Sequence, residues 1–132
     1  MSISTPTPQR VLVIDDNSDA AHMLCDLVAI LGHDTRYALD GPAGIAQAEA
    51  FKPDVIFLDI GMPGMNGFEV CIALRALAVL ERTCIVALTA WTDAATRLKC
   101  QQCGFHFHLA KPASIDLIES IVVQAAAARR LN

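Results

Sequence analysis

Much is missing from this chain of 132 residues, and each absence narrows what it can be. No apolar run approaches the roughly 18 residues of a membrane-spanning helix, so membrane insertion is not expected. The start, Met1-Ser-Ile-Ser-Thr-Pro-Thr-Pro, holds neither a basic nor an apolar stretch and does not read as a secretion signal. Basic charge is scarce: ten Lys+Arg stand against fourteen Asp+Glu, for a formal charge of −4. Arg129-Arg130 is the only adjacent basic pair near a terminus. A field of that sign repels phosphate backbones, so direct nucleic-acid binding is not expected. The glycines spell neither G-x-G-x-x-G nor a P-loop, because Gly61, Gly64 and Gly67 are wrongly spaced, and no G-x-S-x-G occurs. The length leaves no room for a second domain.

Core-forming material is plentiful. Apolar residues make up 54% against 18% charged, which excludes a disordered segment. A folded chain of this size hides roughly two-thirds of its unfolded surface, enough to stand without disulfides or a structural metal. The five cysteines, Cys25, Cys71, Cys84, Cys100 and Cys103, are odd in number and scattered among apolar neighbours. Free thiols in a cytoplasmic protein are the economical reading.

The apolar pattern alternates between two periods. Residues 1–9 are polar and proline-bearing, a leader outside the folded unit. Val11-Leu12-Val13-Ile14 is a continuous apolar run that suits a strand buried on both faces. A helical period follows, with Leu24, Leu27, Val28 and Leu31 on one face, Asn17 or Ser18 as cap and Gly32 as stop. Thr35-Arg36-Tyr37 is a weaker strand, and Asp40-Gly41-Pro42 opens a helix to about Phe51. Val55 to Leu58 and Cys84 to Leu88 are two more buried strands, separated by a helix whose face is Phe68, Cys71, Leu74 and Ala78. A helix over 93–103, a strand from His106 to Leu109 and a helix facing inward through Leu117, Ile118, Ile121, Val122 and Ala125 complete the unit at about residue 128. Residues 129–132 form a tail. Strand and helix thus alternate five times, which implies a flavodoxin-like (βα)5 three-layer sandwich with a parallel sheet of order 2-1-3-4-5. His22 and His33 read as surface residues.

In such a sheet the ligand crevice lies beyond the carboxyl ends of the strands. The strands end there in Asp15-Asp16, Asp59, Thr89 and Lys111. Clustered carboxylates repel one another, and a hard divalent cation such as Mg2+ relieves that repulsion through oxygen ligands. Asp16 and Asp59 are the best ligands, Asp15 binds directly or through water, and the Gly61 carbonyl supplies a further oxygen. An ammonium, a hydroxyl and a metal around one carboxylate is the equipment for accepting a phosphoryl group. Asp59 is therefore expected as acceptor, Mg2+ and Lys111 as neutralisers, and Thr89 as hydrogen-bond donor to a phosphoryl oxygen.

Taken together, Asp15-Asp16, Leu58 to Gly67 (Leu-Asp-Ile-Gly-Met-Pro-Gly-Met-Asn-Gly), Leu88-Thr89-Ala90 and Leu109-Ala110-Lys111-Pro112 resemble the receiver domain of two-component response regulators. The similarity covers about residues 10–128. The wording of Pro63 to Gly67 and of Gly104 to His108 is most similar to receivers of hybrid histidine kinases. The resemblance implies Mg2+ dependence, a cis Lys111-Pro112 bond, and phosphoryl transfer from a histidine kinase or histidine phosphotransfer protein. It also implies a switch of the face formed by the fourth helix, fifth strand and fifth helix, read by a downstream partner that the sequence does not name.

Two positions depart from the family pattern. His108 stands where a Tyr or Phe usually serves as the switch partner of Thr89. Either the switch runs through His108, or Phe107 or His106 takes over, or signalling relies on the loop after Thr89. Trp91, after Ala90 in the same modulating loop, either lies across the next helical turn as a surface residue or shields the phosphoryl group from water. Other readings fare worse. Cys100-Gln-Gln-Cys103 with His106 and His108 has zinc-like spacing, yet the pair sits near a helix C-terminus, where packing is the simpler role. A haloacid-dehalogenase-type phosphatase needs an acid/base Asp where Gly61 stands. An interaction module that keeps the fold but signals without phosphate would not need all five site residues.

Overall fold

The structure, a computed structural model, describes residues 8–91 and 93–130; the expected leader and tail fall largely outside these. Five parallel strands, β1 (Arg10–Ile14), β2 (Asp34–Ala38), β3 (Val55–Asp59), β4 (Cys84–Thr89) and β5 (Phe107–Ala110), form one sheet in the order β2-β1-β3-β4-β5, as expected. Between them run α1 (Ser18–Ile30), α2 (Gly41–Phe51), α3 (Gly67–Arg75) and α4 (Ala94–Cys103), and α5 (Ile115–Arg130) follows. A short 3-10 turn at Ala78–Leu80 precedes β4.

Alternation along the buried strands sorts the core into two layers. Leu12, Ile14, Ile56, Leu58, Ile85 and Ala87 face α2, α3 and α4. Val11, Val13, Val55, Phe57, Val86 and Leu88 face α1 and α5. Each large side chain hidden this way contributes about 1.5–3 kcal/mol of burial, which anchors the strand ends that carry the polar residues. Helix starts are set by local chemistry. Asn17, Asp40, Asn66 and Asp93 each accept a backbone N–H from the first turn that follows, and Asn66 completes a capping box with Glu69.

Three expectations need correction. α3 ends at Arg75, so Ala78 lies in the 3-10 turn and is exposed rather than on the helix's inner face. Leu117 is 53% exposed: the buried stripe of α5 runs through Ile118, Ile121, Val122 and Ala125, and Leu117 falls one step off it. His33 is buried, not on the surface, because its Nδ1 accepts the Gln9 N–H at 3.0 Å and ties the start of the chain to the α1–β2 turn. His22 is exposed as expected, with its ring edge-on to Tyr37. α5 extends to Arg130, two residues into the segment expected as tail.

Candidate functional site

Four strand ends build the crevice. Asp15 follows β1 directly, held by its own N–H to the Ala38 carbonyl, and its Oδ1 accepts the Asn17 N–H at 2.9 Å. Asn17 then caps α1, so one turn both positions the carboxylate and starts the helix. Asp59 is the last residue of β3. Its Oδ1 accepts the Gly61 N–H at 3.0 Å, while the next residue, Ile60, bonds through its N–H to the Leu88 carbonyl of β4. Asp15 and Asp59 are both buried and Asp16 is exposed.

Lys111 reaches across from the end of β5. Its Nζ lies 3.2 Å from Asp15 Oδ2 and 3.3 Å from Asp59 Oδ1. Partial burial alone would lower the ammonium's pKa, but the Asp59 and Asp15 carboxylates outweigh it and hold the pKa above the ordinary lysine value. The charge is therefore permanent at any physiological pH. The Lys111 N–H also bonds the Thr89 carbonyl at 2.9 Å, which sets β4 and β5 in register at the crevice. Lys111-Pro112 is cis, as the resemblance implied.

Carboxylate oxygens of Asp15, Asp16 and Asp59 lie within 4.8 Å of one another, the only such metal-capable group among the described residues. Three hard oxygen donors, two of them buried, fit Mg2+ rather than a soft metal. Gly61 is exposed beside Asp59 and gives its N–H to the Asp59 carboxylate. The zinc-like spacing does not converge. Cys71 Sγ donates to the Cys103 carbonyl, Cys100 is buried in the core, His106 Nδ1 meets Arg75 at 2.8 Å, and His108 Nε2 lies 3.3 Å from the Trp91 carbonyl. Burial pushes up the thiols of Cys25, Cys71, Cys84 and Cys100, Cys71 to about 12 and Cys84 to about 11, so these four are packing groups.

The loop after β4 has its own order. Thr89 is buried and its Oγ1 accepts the Trp91 N–H at 2.8 Å. The Trp91 indole is 58% exposed yet leans over Gly61: a Cβ on Gly61 would meet Trp91 Cζ3 at 3.5 Å and Asp59 Oδ1 at 3.6 Å. His108, one strand across, is bonded to the same loop through the Trp91 carbonyl. Ala90 between them is exposed.

Two features of the surroundings escaped the sequence reading. An apolar cleft of ≈ 380 Å3 opens beside Asp15 and Lys111, walled by Met23 and Leu27 of α1 and by Pro112 and Ala113. Met23 and Leu27 are spaced i, i+4, the only hint of a second apolar face on that helix. Arg75 is the other. It donates Nε to the Gly104 carbonyl at 3.0 Å and Nη1 to the Leu80 carbonyl at 3.4 Å, pinning α3 to the turn before β5. No local pattern marks a lone arginine for that task.

A parallel doubly wound sheet carrying three carboxylates, a paired lysine and a threonine at its carboxyl edge defines a phosphoryl-accepting signalling domain rather than a hydrolase or a nucleotide-binding fold. Residues 11–123 match the response regulator receiver domain family, and the chain belongs to that family. It is 36% identical over 104 residues to the DNA-binding response regulator MtrA of Mycobacterium tuberculosis, covering 79% of this chain and 44% of that protein. It is 33% identical over 103 residues to the response regulator PleD of Caulobacter vibrioides, covering 78% of this chain and 23% of that one. The chain thus spans less than half the length of these relatives. The solved chemotaxis response regulator CheY4 of Vibrio cholerae superposes with a TM-score of 0.84 at 28% identity, over 90% of this chain and 99% of that one. Receivers are signalling domains of two-component systems, phosphorylated by histidine kinases. No helix among the described residues is long and apolar enough to cross a membrane.

Proposed function

We propose that Asp59 accepts a phosphoryl group from the phosphohistidine of a histidine kinase or histidine phosphotransfer protein. The carrying observation is the buried Asp59 carboxylate with Lys111 Nζ 3.3 Å from one oxygen and two further aspartates alongside. Asp59 Oδ1 is taken by Lys111 and the Gly61 N–H, which leaves Oδ2 to attack phosphorus. The O–P bond forms as the P–N bond of the donor breaks, and the bonding pair returns to the imidazole nitrogen. Asp15, Asp16, Asp59 and the Gly61 carbonyl would hold Mg2+, which when bound neutralises charge on the phosphoryl oxygens. Lys111 adds a fixed positive charge, and the Thr89 hydroxyl exchanges the Trp91 N–H for a phosphoryl oxygen. The domain is not an enzyme in the ordinary sense; its own dephosphorylation uses water at the same phosphorus.

The apolar cleft beside Lys111 is where the donor's helices would seat, since it borders the crevice and is lined by methionine and leucine. Phosphorylation then shifts the α4, β5 and α5 face, with Thr89 and His108 as switch residues and Ala90 and Trp91 modulating access. Residues 10–128 are the unit that does this, in the cytoplasm, and nothing in its −4 charge calls for nucleic acid as a direct ligand. The likeness to hybrid-kinase receivers stands on the Pro63–Gly67 and Gly104–His108 segments and on none of the relatives named above.

Intact-mass measurement after incubation with acetyl phosphate and Mg2+ tests the acceptor. Wild type is expected to gain one phosphoryl group and Asp59→Asn none. Equal labelling of both proteins moves the acceptor elsewhere; labelling of neither leaves a receiver fold that signals without phosphate.

A further inference from the structure

The two poles of the sheet differ in charge. The carboxyl ends gather aspartates, whereas the amino ends of β1, β3 and β4 enclose a separate polar cavity of ≈ 410 Å3. Its walls carry Arg10, Lys52 and Arg82 against one carboxylate, Asp54, with Pro53 and Thr83 between them. Three cations at one place are unexpected in a chain with net charge −4.

The other cationic side chains described are occupied. Arg36 lies 4.4 Å from the Phe51 ring centroid and Lys99 4.4 Å from that of Phe68. Arg75 is spread over two carbonyls and His106, Arg97 faces Asp93, and Lys111 sits between Asp15 and Asp59. Among the cationic side chains described, Lys52 and Arg82 alone have no hydrogen bond, ion pair, ring contact or electrostatic partner, and both line this cavity. Arg10 gives Nη1 to the Phe51 carbonyl at 3.0 Å and keeps its other nitrogens.

The walls are held by other groups. Asp54 Oδ2 accepts the Arg10 N–H at 2.9 Å, and Thr83 Oγ1 donates to the Pro53 carbonyl at 2.8 Å. Lys52 caps α2 in the left-handed region at φ 52°, where a glycine would sit without strain. A lysine at that position carries a charge to the cavity wall that a glycine would not.

We propose that this amino-end cavity binds a small phosphate-bearing anion, independently of Asp59 and of Mg2+. Arg82 offers paired N–H donors that match two phosphate oxygens, and Lys52 a mobile point charge. The volume falls within the range of small-ligand sites, roughly 300–1,000 Å3, and exceeds what one phosphate fills. Free phosphate and the phosphate of a metabolite share this chemistry, with a diphosphate the better match to separate cations.

Titration of the uniformly 15N-labelled chain in Mg2+-free buffer with inorganic phosphate, pyrophosphate or adenosine monophosphate, followed by amide shifts, tests it. Saturable shifts are expected at Arg10, Lys52, Asp54 and Thr83, tightest with pyrophosphate and weakening with added salt. Lys52→Glu or Arg82→Glu should weaken binding by roughly tenfold or more, and Asp59→Asn should leave it unchanged. Both side chains are exposed, and Ala replacements carry the comparison if a charge reversal unfolds the protein. A stronger response to adenosine monophosphate than to phosphate assigns the site to a metabolite, and the reverse assigns it to free phosphate. No saturable shift with any probe, shifts centred on Asp15 and Lys111, or equal affinity in the charge-reversed variants would overturn the assignment. Loss of acetyl-phosphate labelling would strike the Asp59 reading and leave this one standing.

Discussion

Replacing Gly67 by alanine adds one methyl group where the fold has no space for it. A Cβ there would stand 2.4 Å from Ile60 Cα, 2.6 Å from the Asp59 carbonyl oxygen and 2.9 Å from Ile60 Cγ2. The two nearest atoms are backbone, so no rotamer change relieves the contact. Gly67 is the first residue of α3, its N–H bonds the Ile60 carbonyl at 3.3 Å, and the Asn66–Glu69 capping box fixes the helix start against the same strand end. Relief must therefore displace either the helix cap or the Asp59–Ile60 segment. Overpacking costs about 1–3 kcal/mol where side chains yield, and a backbone clash places Gly67→Ala at or beyond the upper end, about 3 kcal/mol. At about 3–5 °C per kcal/mol for a domain of this size, Tm falls by roughly 10 °C. Because the crowded segment includes Asp59, the proposed acceptor, labelling by acetyl phosphate should slow well before the protein melts. Gly64→Ala is the control: φ is +75° and nothing lies within 4 Å, so only left-handed strain of about 1–2 kcal/mol remains and labelling is untouched. Calorimetry and mass-resolved labelling on both variants decide the matter. A Gly67→Ala protein within about 2 °C of wild type and labelled at the normal rate would refute the packing argument.

Two histidines make stability pH-dependent. Burial, the main cause, lowers the pKa of His33 against a smaller pull from Glu119, and burial with Arg75 lowers that of His106. Between each native pKa and the ordinary value near 6.5 the unfolded chain binds more protons, so the stabilisation is complete above about pH 6.5 and is lost as pH falls through the native values. The urea midpoint should decline between pH 7 and 5, less so in His33→Gln; a flat profile contradicts the buried neutral ring. Trp91→Ala should lose its phosphoryl group faster than wild type, because the indole no longer overhangs Gly61 and Asp59; an unchanged decay rate assigns Trp91 to the surface only. Trp91 is also the single tryptophan, and its fluorescence should change when beryllofluoride and Mg2+ occupy the crevice. In His108→Ala that response should alter, since the bond from His108 Nε2 to the Trp91 carbonyl is gone; an identical response removes His108 from the switch.

The architecture was legible because its cause is local. Runs such as Val55 to Leu58 are apolar at every position, which only a strand covered on both faces requires, and Asn17 and Asp40 stand one residue before their helices. The crevice was legible for a related reason: topology alone brings the ends of β1, β3, β4 and β5 together once the strand order is known. His33 was misplaced because its burial depends on a bond to Gln9, 24 residues away in sequence, and no periodicity reports that. Leu117 was misplaced by a single step, because it directly precedes Ile118, the first residue of the buried stripe. The basic cavity was invisible for the same reason as the Arg75 bridge, since Arg10 opens β1, Lys52 caps the end of α2 and Arg82 lies in the turn before β4, far apart in sequence.

The uneven anchoring of the helices bears on how a phosphoryl group at Asp59 would be felt at a distance. α4 presents one buried residue, Cys100, to the core, whereas α1 and α3 each bury four. Beyond Cys100, α4 is tied by the Asp93 cap, by Lys99 over the Phe68 ring and by the Cys71 Sγ bond to the Cys103 carbonyl, and an element with so little buried side chain belongs to the low end of local stability, where small changes in neighbouring bonds repopulate conformations. Reversing a population from a hundredfold excess of one state to a hundredfold excess of the other takes about 5.5 kcal/mol. A dianion that drew in both the Thr89 hydroxyl and Lys111 would supply charge-assisted hydrogen bonds of that order. Thr89 now accepts the Trp91 N–H, so a rotation that turned its hydroxyl toward a phosphoryl group would loosen that bond in the loop leading into α4, and His108 is bonded to the same loop. On the proposed reading the switch needs no long-range strain: two hydrogen bonds on one loop, at Thr89 and His108, lie between the site and α4, the helix with the fewest buried residues.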